Sequence, residues 1–207
     1  MRGLDDLCRS RRMCRSFVPE PLDAVTLDEI VQLGLTAPSA GFSQGLSLVL
    51  IEGGDRDVYW NLTLPEERRR TFRWQGLLAA PTLLLVFADP QRYLDRYSEA
   101  DKISTGLGSS TEAWTTPYWT VDAGMAVMAM LLAAEDRGVG ALFFALVNGE
   151  DAVRSHFAVD PRLQTIGVLA LGYPNRDDPD AFGAGRSAGR LRLGPDQVMR
   201  RGTRHPH

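Results

Sequence analysis

Three arginines fall within five residues near the N-terminus, in Arg11-Arg12-Met13-Cys14-Arg15-Ser16-Phe17, on a chain whose formal net charge is only −3. Guanidiniums are forked donors that stay protonated and match the oxygens of phosphates and carboxylates. Read as helix, the run puts Arg11 and Arg15 on one face, where like charges repel unless an anion or a carboxylate relieves them. A solvated helix face is the plainer reading of a charge run that stands alone. Two further segments bear on it: Ala37-Pro38-Ser39-Ala40-Gly41-Phe42-Ser43-Gln44, a loop of small and hydroxyl residues, and the distant Arg190-Leu191-Arg192.

Other chemistries fit the residues poorly. Gly41-Phe42-Ser43-Gln44-Gly45 satisfies G-x-S-x-G, yet a nucleophile elbow needs a strand before it and a helix after it, and here a helix precedes and a strand follows. His156, His205 and His207 have no metal-ligand spacing, and none is placed to serve as a base. Cys8 and Cys14 are six apart, which is neither C-x-x-C nor a zinc pair. Neighbouring arginines lower a thiol's pKa, so Cys14 is a minor candidate nucleophile. Gly106-x-Gly108 and Gly138-x-Gly140 lack the third glycine and acidic partner of a dinucleotide fingerprint, and there is no Walker loop.

The elements that must position the arginines and the Ser39 loop follow from periodicity. A helix is expected from about Leu4 to Cys14. Thr26-Leu27-Asp28-Glu29 reads as a capping box opening a second helix that runs toward Pro38. Leu46 to Ile51 reads as a strand, Pro65 to Leu78 as a helix with Arg68-Arg69-Arg70 on a solvated face, and Pro81 to Phe87 as a buried strand. From Asp89 to Pro117 the pattern loosens into a long polar segment of the kind that forms lids or is disordered. Asp122 to Arg137 is the strongest helix, apolar nearly all round, with Gly138 as its C′ residue. Such a helix needs cover on most sides, either from a second copy at a dimer interface or as the central helix of one copy. Ala141 to Val147 and Thr165 to Leu171 read as buried strands, with a short helix at Glu150 to Phe157 between them. Trp114, Tyr118 and Trp119 either close over a planar ligand or pack the polar segment onto the sheet.

At 207 residues and 44% apolar content the chain can bury a substantial core. No composition break divides it, so 1–207 is read as a single domain whose residues 175–207 form a polar, Gly/Pro/Arg-rich extension. No apolar stretch is long enough to span a bilayer and no N-terminal h-region is present, so a soluble, cytoplasmic protein is expected. The acidic balance argues against nucleic acid.

Arg-Arg-x-x-Arg-x-Phe at 11–17, Ala-Pro-Ser-x-x-x-x-Gln at 37–44 and the helix that ends in Gly138-Val139-Gly140 follow one another at a spacing that resembles the FMN-dependent nitroreductase family, over nearly the whole chain. The resemblance implies an α+β fold with a central mixed or antiparallel β-sheet flanked by helices. It also implies a homodimer in which the C-terminal extension, 175–207, wraps onto the partner subunit. By resemblance, Arg11, Arg190 and Arg192 face the FMN phosphate, with Arg12 a nearby contact and Met13 beside it. Arg15 maps to the basic position near the N1/C2 region of the ring, where positive charge stabilises the reduced form. Pro38, Ser39, Ala40 and Gln44 map to the loop beside the ribityl chain and ring. Leu142, Phe143 and Phe144 map to the backbone behind it, near N5. Phe42 and Trp119 are the substrate-side candidates, and no side chain is cast as catalytic.

The implied activity is NAD(P)H-dependent reduction of nitroaromatics, quinones or similar small electrophiles by a ping-pong route, with small-molecule acceptors and neither metal, nucleic acid nor membrane. Two alternatives stand beside it. One is a specialised enzyme of the same fold, of dehalogenating, flavin-fragmenting or azoline-oxidising type, and the other is a non-catalytic flavin-binding protein. The chain departs from the family loop, with Phe42 in place of the usual Asn and Gly45-Leu46 in place of Pro-Trp. In the middle third, the extra basic or amide contact of many members has no aligned counterpart.

Overall fold

The computed structural model describes residues 3–183, 190–200 and 202. Helices α1 (Leu4–Ser10) and α2 (Ala24–Leu35) precede strand β1 (Leu46–Glu52), and α3 (Asp55–Thr63) and α4 (Glu66–Arg70) lead to β2 (Thr82–Ala88). Then come α5 (Pro90–Tyr97), the long α6 (Tyr118–Asp136), β3 (Gly140–Phe144), α7 (Glu150–His156), β4 (Gln164–Gly172) and the short α8 (Pro195–Val198). The four strands form one antiparallel sheet in the order β1-β2-β4-β3. Among the described residues, no helix is long and apolar enough to cross a membrane.

Every residue of β2 is buried, because both faces of the sheet are covered. Side chains alternate along a strand, so Leu83, Leu85 and Phe87 join Ile51, Trp60 and Val153 in one core, while Leu84 and Val86 join Ile30, Val127 and Met130 in the other. The first core lies beneath α3 and α7, the second beneath α2 and α6. A third cluster of Ala88, Tyr93, Trp114, Trp119 and Ala123 closes one end.

Several boundaries differ from the sequence reading, each for a physical reason. Helix α1 stops at Ser10, so Arg11 to Phe17 is not helical. Helix α2 starts earlier than the capping box at Thr26: the Asp23 carboxylate accepts from the amides of Val25 (3.1 Å) and Thr26 (3.0 Å). The expected helix from Pro65 to Leu78 is broken into α4 and a 3-10 turn at Gln75–Ala79. Gly76 lies in that turn, and a Cβ there would collide with the Ser16 side chain. Arg70 pairs with the exposed Glu66 (2.7 Å), and Arg69 turns back onto Asn61 (2.6 Å), so the arginine run is not merely solvated. The polar segment is not a loose lid throughout, since α5 opens it, with Asp89 accepting from the Gln91 amide and Pro90 in the first turn.

Helix α6 buries Ala126, Val127, Met130 and Ala134 against its own sheet and α2, and leaves a stripe of Tyr118, Val121, Met125 and Met128 exposed. The start of the extension packs on its own protomer. Phe17 bridges Pro174, the Asn175 amide donates to Ser16 O (3.0 Å), and Ala181 is buried.

Candidate functional site

After α1 the chain runs extended along the free edge of β3. Met13 forms a parallel bridge with Ala141, and the Cys14 amide donates to Ala141 O at 2.9 Å. Ladder bonds therefore replace the expected helix, and Arg11 and Arg15 do not share a helix face. Arg12 folds back so that its Nη1 donates to the carbonyls of Arg9 (2.6 Å), Ser10 (3.2 Å) and Arg11 (3.0 Å), where a cation complements the helix C-terminus. Arg11 has no such outlet: its Nε and Nη1 are sealed from solvent without a hydrogen-bond partner among the described residues.

Arg15 is half-buried and held from three sides. Its Nη1 donates to Met13 O (3.2 Å) and Gly183 O (3.4 Å), and its guanidinium lies 5.1 Å from the centre of the Trp74 ring. The Arg73 guanidinium lies 4.4 Å from the same ring, which places a second basic group beside Arg15. A cavity of about 420 Å³ opens here, lined by Arg15, Trp60, Phe72, Trp74 and the segment from Leu142 through Asn148. Arg15 thus lines one cavity with Leu142, Phe143 and Phe144. Trp60 and Phe144 stack in parallel in its wall, 6.3 Å between centroids.

The Ser39 loop lines a second, smaller cavity of about 190 Å³ with Pro38, Gln44, Tyr93 and the buried Asp122. Ser39 Oγ accepts from the Gln44 amide (3.0 Å), and the Ala40 amide donates to Asp122 Oδ2 (2.8 Å). Ser43 is buried with its hydroxyl donating to Ala40 O (2.7 Å), a structural role that removes the nucleophile-elbow reading. Arg12 lines a third cavity, with Gly138 to Gly140 and Arg176. In one protomer the expected site residues therefore fall into separate concavities.

Arg190 and Arg192 are exposed and meet no partner among the described residues, and Leu191 between them is 94% exposed. Phe42 points out at 76% exposed. Trp119 is buried in the cluster with Tyr93 and Trp114, its Nε1 donating to Gln164 (2.6 Å), so this ring packs the polar segment rather than standing free to close over a ligand. Cys14 is fully buried, with Sγ donating to Ser16 O (3.1 Å), and burial pushes its thiol from 9.0 up to about 11, the opposite of an activated nucleophile.

Sequence reasoning missed Arg73, Trp74, Tyr93 and Asp122. A signal existed for Tyr93: Asp89-Pro90 opens a helix, and Tyr93, Leu94 and Tyr97 follow at helical spacing. Arg73 and Trp74 become visible only through contacts made across the fold.

These residues fit a flavin phosphate and ring. Arg15 places fixed positive charge on an aromatic cavity wall, Arg73 adds a second guanidinium beside it, and the Ser39 loop that lines the smaller cavity is built of small residues.

Comparison with known proteins identifies the family. The Nitroreductase family model matches residues 8–173. A 5,6-dimethylbenzimidazole synthase from Rhodospirillum rubrum is 29% identical over 86% of this chain and 84% of its own length. A protein from Archaeoglobus fulgidus that carries the provisional name NADH dehydrogenase/NAD(P)H nitroreductase is 25% identical, over 92% and 93%. A provisionally named nitroreductase from Desulfovibrio desulfuricans, solved in complex with FMN, superimposes with a TM-score of 0.67 at 21% identity, covering 99% of each chain.

Proposed function

We propose, for a chain that belongs to the nitroreductase family, that it is an FMN-dependent homodimeric oxidoreductase of the cytoplasm. It uses NAD(P)H to reduce nitroaromatics, quinones or similar small electrophiles by a ping-pong route. The observation that supports this reading is Arg15, whose guanidinium is pinned by Met13 O, Gly183 O and the Trp74 ring on the wall of an aromatic-lined cavity.

FMN, when bound, supplies the two-electron hydride chemistry. Arg11 would hold its phosphate, and Arg190 and Arg192 would add charge from the extension, where both are exposed and unpartnered among the described residues. Arg15, pinned by two carbonyls and the Trp74 ring, keeps its charge fixed at the cavity wall, so that negative charge gained on reduction meets a preorganised cation. Arg73 reinforces that field. Trp60, Phe72 and Phe144 exclude water and offer flat apolar surface, which suits planar aromatic acceptors.

Initial rates with FMN-loaded protein test the reading. With NADH or NADPH varied against menadione or nitrofurazone, parallel double-reciprocal lines are expected. Intersecting lines, or no turnover with either donor, would overturn it.

The likeness to the benzimidazole synthase favours a second reading, in which reduced FMN is itself the substrate and is fragmented aerobically. Formation of 5,6-dimethylbenzimidazole from reduced FMN and oxygen, without turnover of the added acceptors, would select it.

A further inference from the structure

The Ser39 loop holds three residues in left-handed backbone conformation, Gly41 (φ 62°), Phe42 (φ 60°) and Gln44 (φ 53°), two of which carry side chains that disfavour it. Such a conformation persists only where its surroundings over-determine it. The surroundings here come from α5 and α6. Asp122 Oδ2 accepts both the Ala40 amide (2.8 Å) and the Tyr93 hydroxyl (2.7 Å). Arg96 Nε donates to Gly41 O (2.8 Å) and Arg92 Nη1 to Gln44 O (3.2 Å). Gly45 lets the Tyr93 ring press against the backbone where any Cβ would collide with it. Asp122 is buried and has no cationic partner among the described residues, so its acceptor capacity goes to this loop.

One consequence concerns Ser39. Its Oγ accepts from the Gln44 amide, and its hydroxyl proton donates to no protein acceptor among the described residues. We propose that Asp122 and Tyr93 are positioning residues that clamp residues 39–44 in a conformation that leaves the Ser39 hydroxyl proton available to donate to the carbonyl or ribityl oxygens of a flavin. This rests on the FMN reading above. It gives α5 a purpose that the lid expectation for residues 89–117 did not supply.

Hydrogen exchange by mass spectrometry, on the full chain with and without FMN, tests the clamp with Tyr93→Phe and Asp122→Asn. Tyr93→Phe keeps the ring that packs on Trp114 and Trp119 and deletes only the hydroxyl. Exchange across 38–45 should quicken about tenfold, the equivalent of about 1.4 kcal/mol, while peptides from β2 and β4 stay unchanged. FMN should bind about tenfold more weakly to both variants, by fluorescence titration. Unchanged loop exchange, or an equal rise across β2 and β4, would overturn the clamp. A local rise with unaltered FMN affinity would overturn its link to Ser39. If the wild-type chain binds no FMN, the cofactor reading fails by itself, and exchange in the ligand-free protein still decides the clamp.

Discussion

Replacing Arg11 with Met should move stability and cofactor affinity in opposite directions. In the protein alone, Arg11 Nε and Nη1 are buried without partners among the described residues, and an unsatisfied buried polar group costs about 1–3 kcal/mol. At about 1 kcal/mol for each nitrogen, Met, which keeps most of the apolar stem and removes both, should stabilise the ligand-free protein by about 2 kcal/mol. For a chain of this length that is a rise in Tm of about 4–8 °C. The same substitution deletes a charge-assisted contact to phosphate, worth about 1.5–3 kcal/mol, so FMN should bind roughly ten- to a hundredfold more weakly. Differential scanning fluorimetry of the stripped protein and quenching of free FMN fluorescence read the two effects separately. A variant that melts lower without FMN yet binds it as tightly as wild type would refute the reasoning, because Arg11 would then be a structural residue.

Arg190→Ala with Arg192→Ala should weaken FMN roughly ten- to a hundredfold per lost bond. The melting temperature of the ligand-free protein should not move, since both side chains are exposed and unpartnered among the described residues; equal FMN affinity would show the extension to be merely solvated. Met125→Asp with Met128→Asp should split a dimer built on the exposed stripe of α6, read by light scattering, whereas Asp at Ala126 or Val127, 4% and 3% exposed, should unfold the protomer instead. A wild-type monomer in solution would remove that interface. One thiol, Cys8, should react quickly with DTNB at pH 8 and the second only after denaturation, because Cys14 is buried and its thiol raised to about 11. A thiol whose folded pKa lies above its ordinary 9.0 stabilises nothing extra at neutral pH, and its ionisation draws the chain toward the unfolded state between pH 9 and about 11, so stability should fall across that window.

The parts of the fold legible in the sequence are those set by burial on a regular period. Strands β2 and β4 show as unbroken apolar runs because both faces of the sheet are covered, and α6 shows because nine of its residues are buried along most of its length. The arginine run misleads for the converse reason. Arg, Met and Cys tolerate a helix, and only the free edge of β3, distant in sequence, draws residues 13–17 into extended backbone. Helix α5 hides in a polar segment because its apolar positions are aromatics that cluster at one end of the sheet rather than a Leu/Val stripe. At the site, the motif residues Arg15 and Ser39 announce themselves by spacing. Trp74, Arg73 and Asp122 do not, because each acts through a contact made only on folding. The backbone donors that the resemblance implies from Leu142 to Phe144 would leave no residue-type signature at all.

The absorbance spectrum of the purified full-length protein tests the central claim most directly. The account predicts a yellow protein with the visible flavin bands and, on denaturation, release of noncovalent FMN in a ratio approaching one per chain. A colourless protein that also fails to quench added FMN would contradict it.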